Sequence, residues 1–101
     1  MDKEDRKQLL LKLAHDCARV LQEKYKVKRV FLIGSLAYGI VHERSDIDLV
    51  VESLAPEAYI KALVDLSDIV QWEVEVNLIP FEDAFESLKE KTLKKGKLIY
   101  G

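Results

Sequence analysis

A single cysteine, Cys17, excludes an intrachain disulfide. No apolar run approaches the roughly 20 residues that a membrane-spanning helix needs. The charged start, Met1-Asp2-Lys3-Glu4-Asp5-Arg6, also lacks the apolar stretch of a signal peptide, so a cytoplasmic protein is the expectation. Charge of one sign is missing too. Sixteen basic residues against 18 acidic ones leave a net charge of −2, which gives no general attraction to nucleic acid. The one basic cluster, Lys89, Lys91, Lys94, Lys95 and Lys97, falls near a helix end, where the helix dipole favours cations, and reads first as a solvated face. Repeats, low-complexity tracts and linkers are absent. What is there, 49% apolar and 34% charged residues over 101 positions, describes one globular domain spanning residues 1–101.

Hydrophobic periodicity divides the chain. Leu10, Leu13, Cys17, Val20 and Leu21 form the apolar stripe of a first helix over about Lys3 to Lys24. Core packing is the role this gives Cys17. Val30-Phe31-Leu32-Ile33 and Leu49-Val50-Val51 read as buried strands, and the short connection between them predicts antiparallel neighbours. Pro56 opens a second helix with Ile60, Leu63 and Val64 at helical spacing, closing at Ser67-Asp68. A third strand, Trp72 to Ile79, is broken by Pro80, and Phe85, Leu88 and Leu93 mark a last helix that stops at Gly96. The order α-β-β-α-β-α predicts an α/β or α+β fold, a small mixed sheet with helices packed on one face.

The chemistry is concentrated in Gly34-Ser35, followed after ten residues by Asp46-Ile47-Asp48. Residues two apart on a strand share a face, so Asp46 and Asp48 project together while Ile47, Leu49 and Val51 fill the other side. Two carboxylates on one face suit magnesium, a hard ion that commonly takes one or two protein carboxylates and completes its octahedron with water and substrate phosphates. Gly34 lets the backbone approach a phosphate closely, Ser35 adds a hydroxyl donor, and a helix start there would point N–H groups at the anion. His15 and His42 are poor catalytic candidates. Arg44, in the motif segment, has a better claim on a phosphate.

At these residues the sequence resembles the minimal nucleotidyltransferases of the DNA polymerase β superfamily, whose signature is Gly-Ser, ten residues, Asp-x-Asp. The likeness runs from the helix ahead of Val30 to Gly96-Lys97-Leu98-Ile99-Tyr100. It implies a nucleotidyltransferase-like fold, Asp46 and Asp48 as catalytic metal ligands for up to two Mg2+ ions, and Gly34 and Ser35 as holders of a nucleoside triphosphate, most simply ATP. It also implies a protein partner, since small members of the family often accompany an all-helical HEPN-type toxin as antitoxins; a second subunit is the other way to complete so small a site.

One departure from the family stands out. A third carboxylate usually comes from a neighbouring strand, and the matching position here is Asn77. The alternation of Trp72, Val74, Val76 and Leu78 with Glu73, Glu75 and Asn77 gives that strand one apolar and one polar face, so Glu75 or Asn77 is the candidate third metal ligand. Two functions follow. One is transfer of a nucleotidyl group, AMP from ATP, to a protein or other hydroxyl acceptor. The other is a catalytically impaired module that neutralises a partner by binding, because a neutral amide cannot bridge two divalent cations as a carboxylate does.

Overall fold

The computed structural model describes residues 3–40, 46–72 and 74–101. His42, Arg44 and Glu73, weighed above, lie outside the described residues. Helix α1 (Lys3–Tyr25) leads into strand β1 (Arg29–Ile33), a single 3₁₀ turn (Ser35–Tyr38) and strand β2 (Ile47–Glu52). A second 3₁₀ turn (Pro56–Ala58), helix α2 (Tyr59–Ile69), strand β3 (Val76–Pro80), a third 3₁₀ turn (Phe81–Asp83), helix α3 (Glu86–Lys95) and strand β4 (Lys97–Tyr100) follow. The sheet order is β3-β2-β1-β4, with β1 antiparallel to β2 and β4 and with β2 parallel to β3. The mixed sheet and the antiparallel first pair agree with the sequence reading. Strand β4 is an addition to the predicted order. Its four residues are too few to show a period, and they zip onto β1 only after α3 returns the chain.

Pleating sorts the sheet residues into two faces. Val30, Leu32, Ile47, Leu49, Val51, Val76 and Leu78 join Leu10, Ala14, Cys17, Ala18 and Leu21 of α1 and Ala62 and Leu66 of α2 in one buried cluster. The α1 set recurs at 10, 14, 17, 18 and 21, the spacing that keeps side chains on one helical face. Cys17 is fully buried there, and its thiol is pushed up to about 12 by burial and, secondarily, by the Asp16 charge, so it packs as a small hydrophobe and is no nucleophile.

The two later helices present different residues from those the periodicity suggests. On α2 the core takes Ala62 and Leu66, whereas Ile60 and Val64 are exposed at 67% and 43%. On α3 the buried residue is Thr92, and Phe85 and Leu93 face solvent at 85% and 54%. In helices of 11 and 10 residues, one or two contacts choose the face, and small side chains allow the closest approach to the sheet. Gly96 does end α3, but with an extended backbone rather than a left-handed one. A Cβ there would lie 2.4 Å from the Thr92 carbonyl oxygen, so glycine serves close approach of the chain to the last turn.

The predicted third strand is also shorter than its alternation. Gln71 and Trp72 take left-handed conformations at φ 57° and 59° just after α2, and the strand begins only at Val76. Trp72 is 66% exposed, its indole N–H donating to Asp68 Oδ1 at 2.7 Å. A one-turn reversal is needed to bring the chain from α2 to β3, and Trp72 is consumed by it.

Two polar ties brace this frame. Asp65 on α2 accepts from Lys24 Nζ at 2.8 Å and from the Tyr25 hydroxyl, joining the ends of the two long helices. Lys24 first, then Tyr25, hold the Asp65 carboxyl below the usual range, while burial and the Asp65 carboxylate raise the Tyr25 phenol to about 12. Across the β1–β2 pair, Arg29 and Glu52 stand opposite one another in register and form a two-pronged bridge, Nε–Oε1 at 2.6 Å and Nη2–Oε2 at 2.9 Å. The Arg29 hydrogen bond lowers the Glu52 pKa from its ordinary 4.5. A carboxyl whose pKa is depressed by folding contributes stability that is complete above its unfolded pKa and is lost as pH falls through its folded pKa. Glu52→Gln is therefore expected to cost about 1–2 kcal/mol at pH 7 and to flatten the loss of stability below pH about 4.5, leaving the part due to Asp65. Urea denaturation at stepped pH measures both.

Candidate functional site

Strand β1 ends at Ile33, and the chain turns sharply at Gly34. The turn needs glycine twice over. Its φ of 78° and ψ of −165° lie in a region that only glycine occupies readily. A Cβ at Gly34 would also stand 2.4 Å from Oδ2 of Asp48. The sequence reading assigned this glycine to phosphate approach; the model adds that its bare Cα makes room for a carboxylate of the site itself.

The residues after Gly34 do not start an α-helix. Ser35–Tyr38 make one 3₁₀ turn closed by Ala37 N–H to Gly34 O, Gly39 N–H to Leu36 O and Ile40 N–H to Ser35 O. Leu36 is driven into the core and pins the turn, which leaves Ser35 half-buried at the mouth of the β1–β2 end. A single turn has too little aligned backbone to build a helix dipole, so any anion here is held by local N–H and hydroxyl groups.

The aspartates enter from the other side. Asp48 sits opposite Ile33 in the antiparallel register and beside Asn77 in the parallel one. Because Ile47 and Leu49 are fully buried in the core, Asp48 is turned to the opposite face, and Asp46, one residue ahead of β2, is likewise half-buried. Asn77 Nδ2 donates to Asp48 Oδ1 at 2.7 Å. Gly34, Asp48 and Asn77 are thus brought together by three neighbouring segments, with Ser35 next to Gly34 and Asp46 two residues before Asp48.

Glu75 is placed differently. It is exposed and precedes β3, where its carbonyl accepts from Ile47 N–H at 2.9 Å. Among the described residues, no three His, Cys, Asp or Glu side chains come together as a group able to hold a metal ion. The pair Asp46 and Asp48 is accordingly the anionic part of the site. Sequence reasoning missed the Asn77–Asp48 hydrogen bond, whose only signal was the amide at the position of an expected third carboxylate.

A strained glycine turn, two carboxylates opening the adjacent strand and a helix-backed mixed sheet define the nucleotidyltransferase class. Residues 15–101 match the family model described as polymerase beta, nucleotidyltransferase, and the chain belongs to that family. Two proteins of Methanocaldococcus jannaschii that bear the name "Putative protein adenylyltransferase" are similar to it. One is 33% identical over 82 residues, covering 79% of this chain and 82% of the relative. The other is 41% identical over 61 residues, covering 57% and 62%. Among solved structures, a toxin–antitoxin with AMP-PNP superposes with a TM-score of 0.71 at 24% identity, over 86% of this chain and 73% of that one. A complex of a tri-AMPylated Shewanella oneidensis HEPN toxin with its MNT antitoxin gives 0.57 at 20% identity, over 99% and 73%. At these identities the structural likeness carries the fold.

Gly34→Ala is expected to destabilise the protein by roughly 1–3 kcal/mol, from backbone strain together with displacement of Asp48. Ser35→Ala, which disturbs neither, is expected to stay within about 0.5 kcal/mol of the wild type. Thermal denaturation of the two variants checks this difference.

Proposed function

We propose that this protein transfers AMP from ATP to a hydroxyl of a partner protein. The observation that carries the reading is the facing of the Gly34-Ser35 turn by the carboxylate of Asp48. In this reading Asp46 and Asp48 are the catalytic metal ligands, and Glu75 and Asn77 are the auxiliary positions on the third segment. The all-oxygen, anionic pair Asp46 and Asp48 fits magnesium, which would offset charge on the triphosphate and the attacking oxygen. Ser35 donates its hydroxyl, and the turn its N–H groups, to the β- and γ-phosphates, and glycine at position 34 keeps the approach open. The aspartates hold the reacting groups in line, so that the acceptor oxygen bonds to the α-phosphorus as pyrophosphate leaves. The acceptor proton passes to a carboxylate or to water.

A chain of 101 residues cannot enclose both a nucleotide and a large acceptor, so the partner supplies part of the site. Relatives named as protein adenylyltransferases and fold neighbours solved as toxin–antitoxin complexes support a HEPN-type toxin as that partner, with this chain as its cytoplasmic antitoxin. Asn77 motivates the second reading, a module that neutralises the partner by binding alone.

Incubation with labelled ATP, magnesium and the co-expressed partner tests the choice. The wild type is expected to label the partner, and Asp46→Asn or Asp48→Asn to lower the rate at least 100-fold, the scale of a lost electrostatic element. Labelling that survives both substitutions together overturns the site, and absence of labelling with tight partner binding selects the module.

Calorimetry provides a second check. Magnesium is expected to raise ATP affinity in the wild type but not in Asp48→Asn, and Ser35→Ala is expected to weaken ATP far more than AMP. Equal losses for the two nucleotides would make the turn merely structural.

A further inference from the structure

We propose that Asn77 is a positioning residue that fixes the Asp48 carboxylate before any cation arrives, and that the remaining donor set binds one divalent ion where the family pattern implies two. The proposal rests on the reading of Asp46 and Asp48 as the metal ligands.

Chemistry settles which atom of Asn77 faces Asp48. An ionised carboxylate only accepts hydrogen bonds, so the 2.7 Å contact to Oδ1 is made by the amide NH2. The other oxygen is constrained as well, since Oδ2 occupies the space where a Cβ on Gly34 would stand. The carboxylate is therefore held on one side by a donor on β3, and on the other it fills the room that the bare Cα of Gly34 leaves. The parallel register pairs Asp48 with Asn77 directly, and both residues leave the face opposite the core, so the contact needs no distortion of either strand.

An aspartate at position 77 would behave otherwise. Its oxygen would replace a donor at hydrogen-bonding distance from Asp48, and two carboxylates so close repel unless a proton or a cation lies between them. Asparagine removes that requirement and organises the site in the absence of metal, while taking one negative charge from it. What is left, two aspartates and the substrate's phosphates, satisfies the usual demand of a single magnesium ion. Glu75 does not restore the missing charge, because it lies exposed ahead of β3 and outside any three-membered acidic group among the described residues.

The test counts Mn2+ bound per chain by electron paramagnetic resonance in the presence of a non-hydrolysable ATP analogue, with melting temperature as a second readout. Wild type is expected to bind one ion. Asn77→Ala is expected still to bind one, at least 10-fold more weakly, the scale for loss of a group that orients a metal ligand. Asn77→Asp is expected to bind two, to melt lower than wild type without metal, and to regain more from Mn2+ than wild type does. If Asn77→Ala fails to fold, the ion count of Asn77→Asp decides. Two ions on the wild-type chain, one ion on Asn77→Asp, or full affinity in Asn77→Ala overturns the proposal. Asp48→Asn separates the two levels of inference. Unchanged Mn2+ affinity in that variant overturns the ligand assignment itself, whereas lost affinity there with full affinity in Asn77→Ala overturns only the role given to Asn77.

Discussion

The antiparallel register that sets Ile33 opposite Asp48 is the constraint on which the site depends. Side chains alternate along a strand, so a slip of one residue between β1 and β2 would turn Leu49 outward and bury the Asp48 carboxylate. Burial enforces the register. Val30, Leu32, Leu49 and Val51 are all fully buried against the helices, and a one-residue slip of β2 would bring Asp48 and Glu52 into that apolar surface. At about 25 cal/mol per Å2 of apolar surface, several aliphatic side chains outweigh any single polar contact in the sheet. The geometry of the candidate site is thus a by-product of core packing: Asp48 meets the Gly34 turn because its neighbours are required elsewhere.

The same logic explains what the sequence conveyed and what it withheld. The Gly34-Ser35 and Asp46-Ile47-Asp48 spacing is local, and a short connection between two apolar runs leaves few ways to arrange them, so the first strand pair and the meeting of the Gly34 turn with Asp48 were legible. The α1 stripe was legible because successive turns from Leu10 to Leu21 repeat one signal. Short elements gave less. On α2, Ile60 and Val64 match a helical period as well as Ala62 and Leu66 do, and only the packing against the rest of the core chooses between them. Trp72 satisfied an alternation that the chain interrupts with a reversal, and β4 has no period to read. Asn77 was visible as a departure from a pattern, but its partner depends on the parallel pairing of β2 with β3 across 29 positions, a contact that no local rule specifies.

One apolar cavity among the described residues stands apart from the carboxylates. A cavity of about 580 Å3 opens beyond the C-terminal ends of β2 and β3, lined by Leu54, Pro56, Tyr59 and Pro80 with Glu82 and Asp83. An apolar pocket of that size with a few polar groups is the usual first guess for a ligand site. Here the carboxylates and the strained turn lie at the other end of the same strands, around the start of β2. The difference follows from strand direction. Asp46 and Asp48 open β2, so the chemistry sits where β2 begins and β1 ends, whereas the pocket forms where β2 and β3 run out into turns.

A site built at an open sheet end has a physical consequence for function. Asp46, Asp48, Ser35 and Asn77 are all half-buried. Charged groups in that position are screened by water, and electrostatic stabilisation of a phosphoryl transition state is strongest where water is excluded. On the proposed reading, full catalytic power needs a group that closes over the site, a role the proposed protein acceptor would fill as it delivers its hydroxyl. On the same reading the dependence works in reverse: a surface that gains from a partner's exclusion of water would bind that partner whether or not transfer follows. Enzyme and binding module are therefore neighbouring states of one design, and the presence of an amide or a carboxylate beside Asp48 is the kind of single-residue difference that moves a chain between them.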